Sequence, residues 1–288
     1  MKTLTLKSPA KLNLCLDVLG RRADGFHELV TLFERINLCD EITLKKTTTA
    51  KIRVFCKHPQ VPKGSQNLVV RIARQLQADF QVKSGVDIYI EKKIPVAAGL
   101  AGGSSNGATV LMGLNRLWDL GLTQKQLNSY AAAVGSDLNF FLYNSSYAVG
   151  RGRGEQIKPL KVKTKLWHVL VTPKVKMLTK DVFSSLAGLK LNLTNKKDSV
   201  NILLPFLREG QIAQIAGALS NDLEPAILSL RPDFGRLKKK LSDAGSVGVC
   251  FSGSGPSVYA LARSQEEARA IAARLDKRFA QVFVVSTL

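Results

Sequence analysis

The segment Gly99–Gly103 constrains the fold most, because it separates a strand-like run, Val86–Ile90, from a run with helical spacing, Ser104–Trp118. Glycines let a backbone approach a ligand closely, and the free amides at a helix N-terminus attract anions. The pattern predicts a phosphate-binding loop, with a purely structural strand-to-helix connection as the alternative. It matches neither the common phosphate loop, which places a lysine after the glycines, nor the dinucleotide fingerprint.

Strand-like and helical runs are mixed along all 288 residues without a regular β-α-β series. The length is about twice that of a typical domain. We therefore predict an α+β fold in two lobes, 1–160 and 161–288, with a loop-like basic junction over 151–165. Strands are predicted at 11–18, 27–38, 42–45, 52–55, 86–90, 167–172, 247–251, 257–261 and 281–285, and helices at 68–80, 104–118, 178–186, 200–207, 211–219, 234–244 and 265–278. Thr123–Gln126 has a capping-box pattern, and Gly135 is placed to end the helix that follows it.

The composition excludes several classes of protein. With 45% hydrophobic and 22% charged residues the chain is globular rather than disordered. It has no apolar run long enough to span a membrane and no secretory signal pattern, so we expect it in the cytoplasm. Its four scattered cysteines are expected to be reduced thiols, and its three histidines show no metal-ligand spacing.

The balance of 42 Lys+Arg against 22 Asp+Glu gives a net charge of +20, which favours an anionic partner. A basic RNA-binding module is therefore one hypothesis. Against it, aromatic residues make up only 7% of the chain, and the basic residues are not interleaved with them in a stacking strip. We expect neither a nucleic-acid nor a membrane partner.

Two polar positions are candidates for chemistry. Lys11 lies on a strand with one buried face, and a half-buried lysine needs an anionic partner. Asp137 follows the helix-ending Gly135, so spacing alone favours an N-cap carboxylate, although an ionised aspartate there could also accept a hydroxyl proton.

Two further segments have alternative interpretations. Phe26 and His27 end a polar turn, either as a core ring beside a strand-edge histidine or as a platform for a planar ring. The glycine-rich Ser252–Pro256 is explained equally well as a simple hairpin turn.

In chain order these segments resemble the GHMP kinase superfamily. The first motif is matched by Ser8–Leu14 with Arg22–Leu29, the nucleotide-phosphate loop by Pro95–Asn106, and the third motif by Ser252–Pro256. The resemblance implies an N-terminal lobe like ribosomal protein S5 and a ferredoxin-like C-terminal lobe. It also implies ATP-dependent phosphorylation, with Mg²⁺, of the 2-hydroxyl of 4-diphosphocytidyl-2-C-methyl-D-erythritol in non-mevalonate isoprenoid synthesis. A mevalonate or homoserine kinase is the alternative, disfavoured because those substrates offer no pyrimidine to Phe26 and His27.

The resemblance also assigns roles by position. Asp137 matches the catalytic aspartate and Lys11 its paired lysine. The positions matched to ATP binding are Lys92, Pro95, Val96, Ala97, Ala98, Gly99, Leu100, Ala101, Gly102, Gly103, Ser104, Ser105 and Asn106, with Ser105 considered for Mg²⁺. The positions matched to substrate binding are Asn13, Phe26, His27, Thr179 and Phe183.

Three positions depart from the family pattern. Phe26 stands in place of a tyrosine, which keeps ring stacking but removes a hydroxyl. Asn139 stands in place of a proline, which we expect to free the backbone after Asp137. Val96–Ala98 replaces a more glycine-rich entry to the loop, which should narrow the range of backbone conformations there.

We also expect that Gly102→Val weakens ATP binding by placing a side chain where the backbone meets phosphate, while the fold tolerates the change.

Overall fold

A computed structural model describes residues 2–188, 198–275 and 280–288. The strands are β1 Thr3–Arg21, β2 His27–Thr47, β3 Ile52–Cys56, β4 Gly85–Glu91, β5 Tyr147–Gly152, β6 Gln156–Leu160, β7 Trp167–Pro173, β8 Ser220–Asn221, β9 Gly248–Phe251, β10 Val258–Ala262 and β11 Ala280–Ser286. The helices are α1 Leu68–Asp79, α2 Gly102–Leu117, α3 Gln124–Val134, α4 Leu138–Phe141, α5 Thr179–Gly188, α6 Ser199–Glu209, α7 Ile212–Ala218, α8 Glu224–Leu230, α9 Asp233–Asp243 and α10 Gln265–Ala273. The predicted α+β class is confirmed.

The chain forms two compact units that are interleaved in sequence. The first comprises Met1–Ala10, Leu38–Val96 and Ala101–Asn144, and the second comprises Lys11–Asn37, Ala97–Leu100 and Ser145–Leu288. The long strands β1 and β2 contribute residues to both. The division into lobes at residue 160 stays a prediction.

In the first unit, β4 pairs in parallel with β3 and antiparallel with the second half of β2. Helix α1 buries one apolar face, as its helical repeat predicted, and packs against α2. Gly113 lets α2 approach β2 closely, because a Cβ there would lie 2.4 Å from Leu44 Cδ1. The capping box is present at Thr123, and Gly135 ends α3 as predicted.

In the second unit, four antiparallel strands form a sheet in the order β11-β7-β10-β9. Its apolar face packs against helices that include α9 and α10, with Phe234, Phe251 and Ile271 fully or almost fully buried. Strand β5 pairs antiparallel with both β2 and β6, and β8 pairs in parallel with β1.

The structure differs from the predicted elements at several places. The expected loop over 151–165 is wrong for Arg151 and Gly152, which end β5, and for Gln156–Leu160, which forms β6 beside β5. Among the described strands, β6 pairs only with β5, and edge strands tolerate both a charged residue such as Lys158 and a proline such as Pro159. Helix α8 was missed, and β2 is one strand where two were expected. The predicted helix 265–278 ends at Ala273, and its last three residues lie outside the described part.

Across residues 2–188, 198–275 and 280–288, no helix has the length and apolar character that a membrane crossing requires.

Candidate active site

The predicted phosphate loop has a backbone shaped by left-handed residues. Ala97, Gly99 and Ala101 have φ angles of 56°, 78° and 52°. Within Val96–Ala98, where narrower backbone choices were expected, Ala97 nevertheless adopts the region that normally favours glycine, and Ala101 adopts it as well. Helix α2 begins at Gly102, and no side chain caps its first turn. An uncapped first turn presents amide donors suited to a phosphate.

Gly99 packs against the second glycine-rich turn. A Cβ on Gly99 would lie 2.2 Å from the carbonyl oxygen of Ser252, which no side chain can accommodate. The Ser252 hydroxyl donates to the Gly99 carbonyl oxygen over 3.0 Å. The turn does connect the antiparallel strands β9 and β10, so the hairpin interpretation holds, and the same turn supports the loop.

Lys11 and Asn13 lie almost fully buried on β1 beside the same turn. The Lys11 ammonium donates to Asn13 Oδ1, and Asn13 Nδ2 donates to the Thr31 hydroxyl over 2.8 Å. A Cβ on Gly253 would lie 3.1 Å from Lys11 Nζ and 3.2 Å from Asn13 Oδ1. The backbone N–H of Lys11 also donates to the Leu100 carbonyl over 3.2 Å. The structure thus brings Lys11, Asn13 and one part of the loop together.

Lys92 lies in a buried polar network rather than at a free surface. Its ammonium donates to Asp40 Oδ2 over 2.6 Å and to the Ile94 carbonyl over 2.7 Å. Burial lowers the pKa of Lys92, and the nearby Asp40 opposes that shift. The expectation that Lys92 or Lys93 lies near the ATP base stays a prediction, and the contacts of Lys92 described here are with the chain itself.

Asp137 precedes the short helix α4, but its side chain accepts no hydrogen bond from the α4 amides. The N-cap role that spacing favoured is therefore wrong. Despite Asn139 in place of proline, residues Leu138–Phe141 form a helical turn, so the backbone after Asp137 is ordered into α4. The Asn139 side chain is buried and donates to the Asn128 carbonyl over 3.3 Å.

Aromatic side chains from separate parts of the chain meet near the start of β2. His27 stacks on Phe183 of α5, with ring centroids 4.8 Å apart. Phe26 is 53% exposed, which excludes the core role considered for it. The Arg153 guanidinium lies over the Phe26 ring, 4.8 Å from its centroid. Thr179, at the start of α5, hydrogen-bonds Ser254 through their hydroxyls over 2.8 Å.

Ser105 does not fit the Mg²⁺ ligand considered from the sequence. It is fully buried, and its hydroxyl lies 2.8 Å from the Ser8 hydroxyl. The described residues hold no group of three or more His, Cys, Asp or Glu side chains arranged for a metal ion. That finding is compatible with Mg²⁺ carried on ATP, because this ion keeps several waters and uses substrate phosphates with few protein ligands.

Sequence patterns missed several residues at these sites. Asp40 and Ser8 were not assigned to the network around Lys92, nor Arg153 to Phe26, nor Ser252 to Gly99. For Asp40 a signal was available, because it alternates with the buried Ile42 and therefore falls on the inward face of β2.

Comparison with known proteins identifies the family. The model of the GHMP kinase N-terminal domain matches residues 67–145, and that of the C-terminal domain matches residues 203–281. The 4-diphosphocytidyl-2-C-methyl-D-erythritol kinase of Geobacter metallireducens is 42% identical over 272 residues, 94% of each chain. The chain belongs to the GHMP kinase family.

Two solved structures are similar to this kinase over nearly its whole length. A crystal structure of 4-(cytidine 5'-diphospho)-2C-methyl-D-erythritol kinase aligns over 98% of both chains with a TM-score of 0.84 and 30% identity. A homoserine kinase from Cytophaga hutchinsonii aligns over 100% of this chain and 95% of its own, with a TM-score of 0.77 and 23% identity. The latter likeness shows the fold alone. This kinase is an ATP-dependent enzyme acting on a small molecule.

Proposed function

We propose that this kinase transfers the γ-phosphoryl group of ATP to the 2-hydroxyl of 4-diphosphocytidyl-2-C-methyl-D-erythritol, a step of non-mevalonate isoprenoid synthesis. The observation that carries the proposal is the 42% identity, over 94% of both chains, to a relative with that name. The fold alone does not identify the substrate, because a homoserine kinase has the same fold. The stacked His27 and Phe183, with Phe26 exposed beside them, support a substrate that carries a planar ring.

Phosphoryl transfer requires mainly positioning and charge stabilisation, because the transition state is loose. In the proposed mechanism Asp137 orients the substrate hydroxyl and accepts its proton. Lys11 supplies positive charge for the developing negative charge, and Asn13 fixes the Lys11 ammonium. The loop amides and the start of α2 hold the ATP phosphates. Mg²⁺ bound to ATP would neutralise phosphate charge.

The deciding experiment measures ATP-dependent phosphorylation in parallel with the cytidylyl substrate, mevalonate and homoserine. The proposal expects turnover with the cytidylyl substrate only, and a product phosphorylated at the 2-hydroxyl. Turnover with mevalonate or homoserine alone would reject it. A binding titration with RNA at two salt concentrations tests the basic-module hypothesis beside it, and we expect only weak, strongly salt-dependent binding.

A further inference from the structure

Asp40 is an acidic residue on the apolar, inward face of a strand. It alternates along β2 with Ile42 and Leu44, and only 1% of its surface is exposed. A carboxylate in such a place is costly unless charged or polar hydrogens surround it. The hydrogen-bond donors around Asp40 therefore have to offset the cost of burying it.

Four donors from two separate segments meet this one carboxylate. Oδ2 accepts from Lys92 Nζ over 2.6 Å and from Asn106 Nδ2 over 2.8 Å. Oδ1 accepts from the backbone N–H groups of Lys93, over 2.7 Å, and Ile94, over 2.8 Å. Both oxygens are thus fully used.

The two segments are the chain entering the phosphate loop and the chain leaving it. Lys93 and Ile94 immediately precede Pro95, the first loop residue, whereas Asn106 lies in the first turns of α2. One carboxylate therefore fixes the distance between the two ends of the phosphate loop. A change of about 1 Å in such a span is large for a site whose amides must meet phosphate oxygens.

The network extends from Asn106 to the first turn of α2. Asn106 Nδ2 also donates to the Ser8 hydroxyl over 2.9 Å, and Ser8 hydrogen-bonds Ser105. A Cβ on Gly102 would lie 3.0 Å from Lys92 Nζ, so the ammonium sits against the start of the helix. Asp40 supplies the negative charge that offsets a lysine at this positive helix end.

We propose that Asp40 is a positioning residue for ATP, which sets the geometry of the phosphate loop by holding both of its ends, an inference that rests on the proposed kinase function. With only 1% of its surface exposed, Asp40 is not placed to contact a ligand directly. It acts through Lys92, Asn106 and the backbone at 93–94. Losing it should loosen the loop and weaken ATP binding more than it affects the other substrate.

The test compares Asp40→Asn with a matched control, Asp87→Asn. Asparagine keeps one oxygen for the two backbone donors but turns an NH₂ group toward Lys92 and Asn106. Asp87 is a buried carboxylate on β4 of the same unit, paired with Arg53 over 2.6 Å. We expect Asp40→Asn to raise the KM for ATP at least tenfold while the KM for the cytidylyl substrate changes less than twofold. Asp87→Asn should leave both constants within twofold.

Equal changes in both KM values for Asp40→Asn, or an unchanged KM for ATP in a folded variant, would overturn the positioning role. If Asp40→Asn does not fold, Ser8→Ala decides, because it removes one small hydroxyl of the same network. We expect it to raise the KM for ATP about threefold, and no change would overturn the proposal. Binding of a fluorescent ATP analogue, measured without the second substrate, tests the role of Asp40 alone. The proposed function is tested separately, by turnover of the unaltered chain.

Discussion

The imidazole of His27 and the ring of Phe183 are stacked with 4.8 Å between centroids and 26° between their planes. These two side chains come from the first strand-turn motif and from a helix more than a hundred residues later in the chain. Beside them the exposed ring of Phe26 has one face covered by the Arg153 guanidinium. An incoming pyrimidine therefore has the other face of Phe26 available for stacking.

Removing that ring should weaken substrate binding selectively. Stacking on an aromatic side chain is worth about 1–3 kcal/mol per base, so we expect Phe26→Ala to raise the KM for the cytidylyl substrate tenfold or more. The KM for ATP should hardly change. Phe26→Tyr keeps the ring and should be nearly neutral. Steady-state kinetics with each substrate varied in turn provides the measurement, and a loss confined to ATP would place Phe26 in the nucleotide site instead.

His27 should make substrate binding depend on pH. Burial lowers the pKa of His27 below its ordinary value of 6.5, and the charge of Arg21 lowers it further. The ring is therefore neutral at pH 7, with one donor and one acceptor, and it loses the acceptor on protonation. Because the pKa is lowered, binding should be strongest at neutral pH and weaken as the pH falls through the lowered value.

The pH dependence is measured as the KM for the cytidylyl substrate between pH 5 and 8. His27→Gln keeps a donor and an acceptor without a titrating group, so its profile should be flat in the acidic range. The KM for ATP, followed over the same range, serves as the internal control. If the KM of His27→Gln rises at acidic pH as steeply as that of the unaltered chain, the titration belongs to another group.

Local features of the fold could be predicted from the sequence, because their determinants are close together in the chain. The capping box at Thr123 and the helix after Gly103 depend on residues within a few positions of one another. Alternation with Ile42 indicated the inward position of Asp40, but its donors could not be predicted, since they lie 52 to 66 residues away. Strand β6 was missed for a different reason: its partner β5 is close in the chain, but pairing with β5 outweighs its polar composition.

Asp137 and Lys11 should be needed for transfer rather than for ATP binding. We expect Asp137→Ala and Lys11→Ala each to lower kcat by about 10²-fold or more, with the dissociation constant for ATP within threefold. Lys11→Ala also leaves the buried Asn13 Oδ1 without its donor, so Lys11→Met, which preserves the volume, is measured beside it. Asp243→Ala, at an exposed ion pair with Lys239, is the control and should leave kcat unchanged. Near-normal turnover by Asp137→Ala would remove it from the mechanism.

The phosphate loop is best probed at Gly103. The expected tolerance of a valine at Gly102 is wrong, because a Cβ there would lie 2.9 Å from Ile94 Cγ2. At Gly103 no atom lies within 4 Å of the added Cβ, so a side chain projects into open space where phosphate is proposed to bind. Gly103→Val should raise the dissociation constant for ATP at least tenfold by calorimetry. Gly217→Val, an equally open helical position in α7, controls for the cost of valine in a helix. Equal affinities in the two variants would place the phosphates elsewhere.

The left-handed alanine before α2 should carry a measurable strain. Ala101 has a φ of 52°, a region that costs an L-residue roughly 1–2 kcal/mol and costs glycine almost nothing. Glycine also loses more entropy on folding, which offsets part of the gain. We therefore expect Ala101→Gly to raise the free energy of unfolding by up to about 1 kcal/mol, measured by denaturant titration.

Two matched variants show whether a glycine at such a position should stabilise or destabilise the fold. Gln81→Gly changes an exposed residue with a similar φ of 49° just after α1 and should also stabilise the fold. Ala133→Gly changes an exposed residue inside α3 and should destabilise it by about 1 kcal/mol, because a glycine within a regular helix is unfavourable. If Ala101→Gly behaves like Ala133→Gly, the residue before α2 is not left-handed in solution. The loop amides would then point elsewhere than the phosphate site requires, because the conformation of residue 101 sets the direction in which the chain enters the helix.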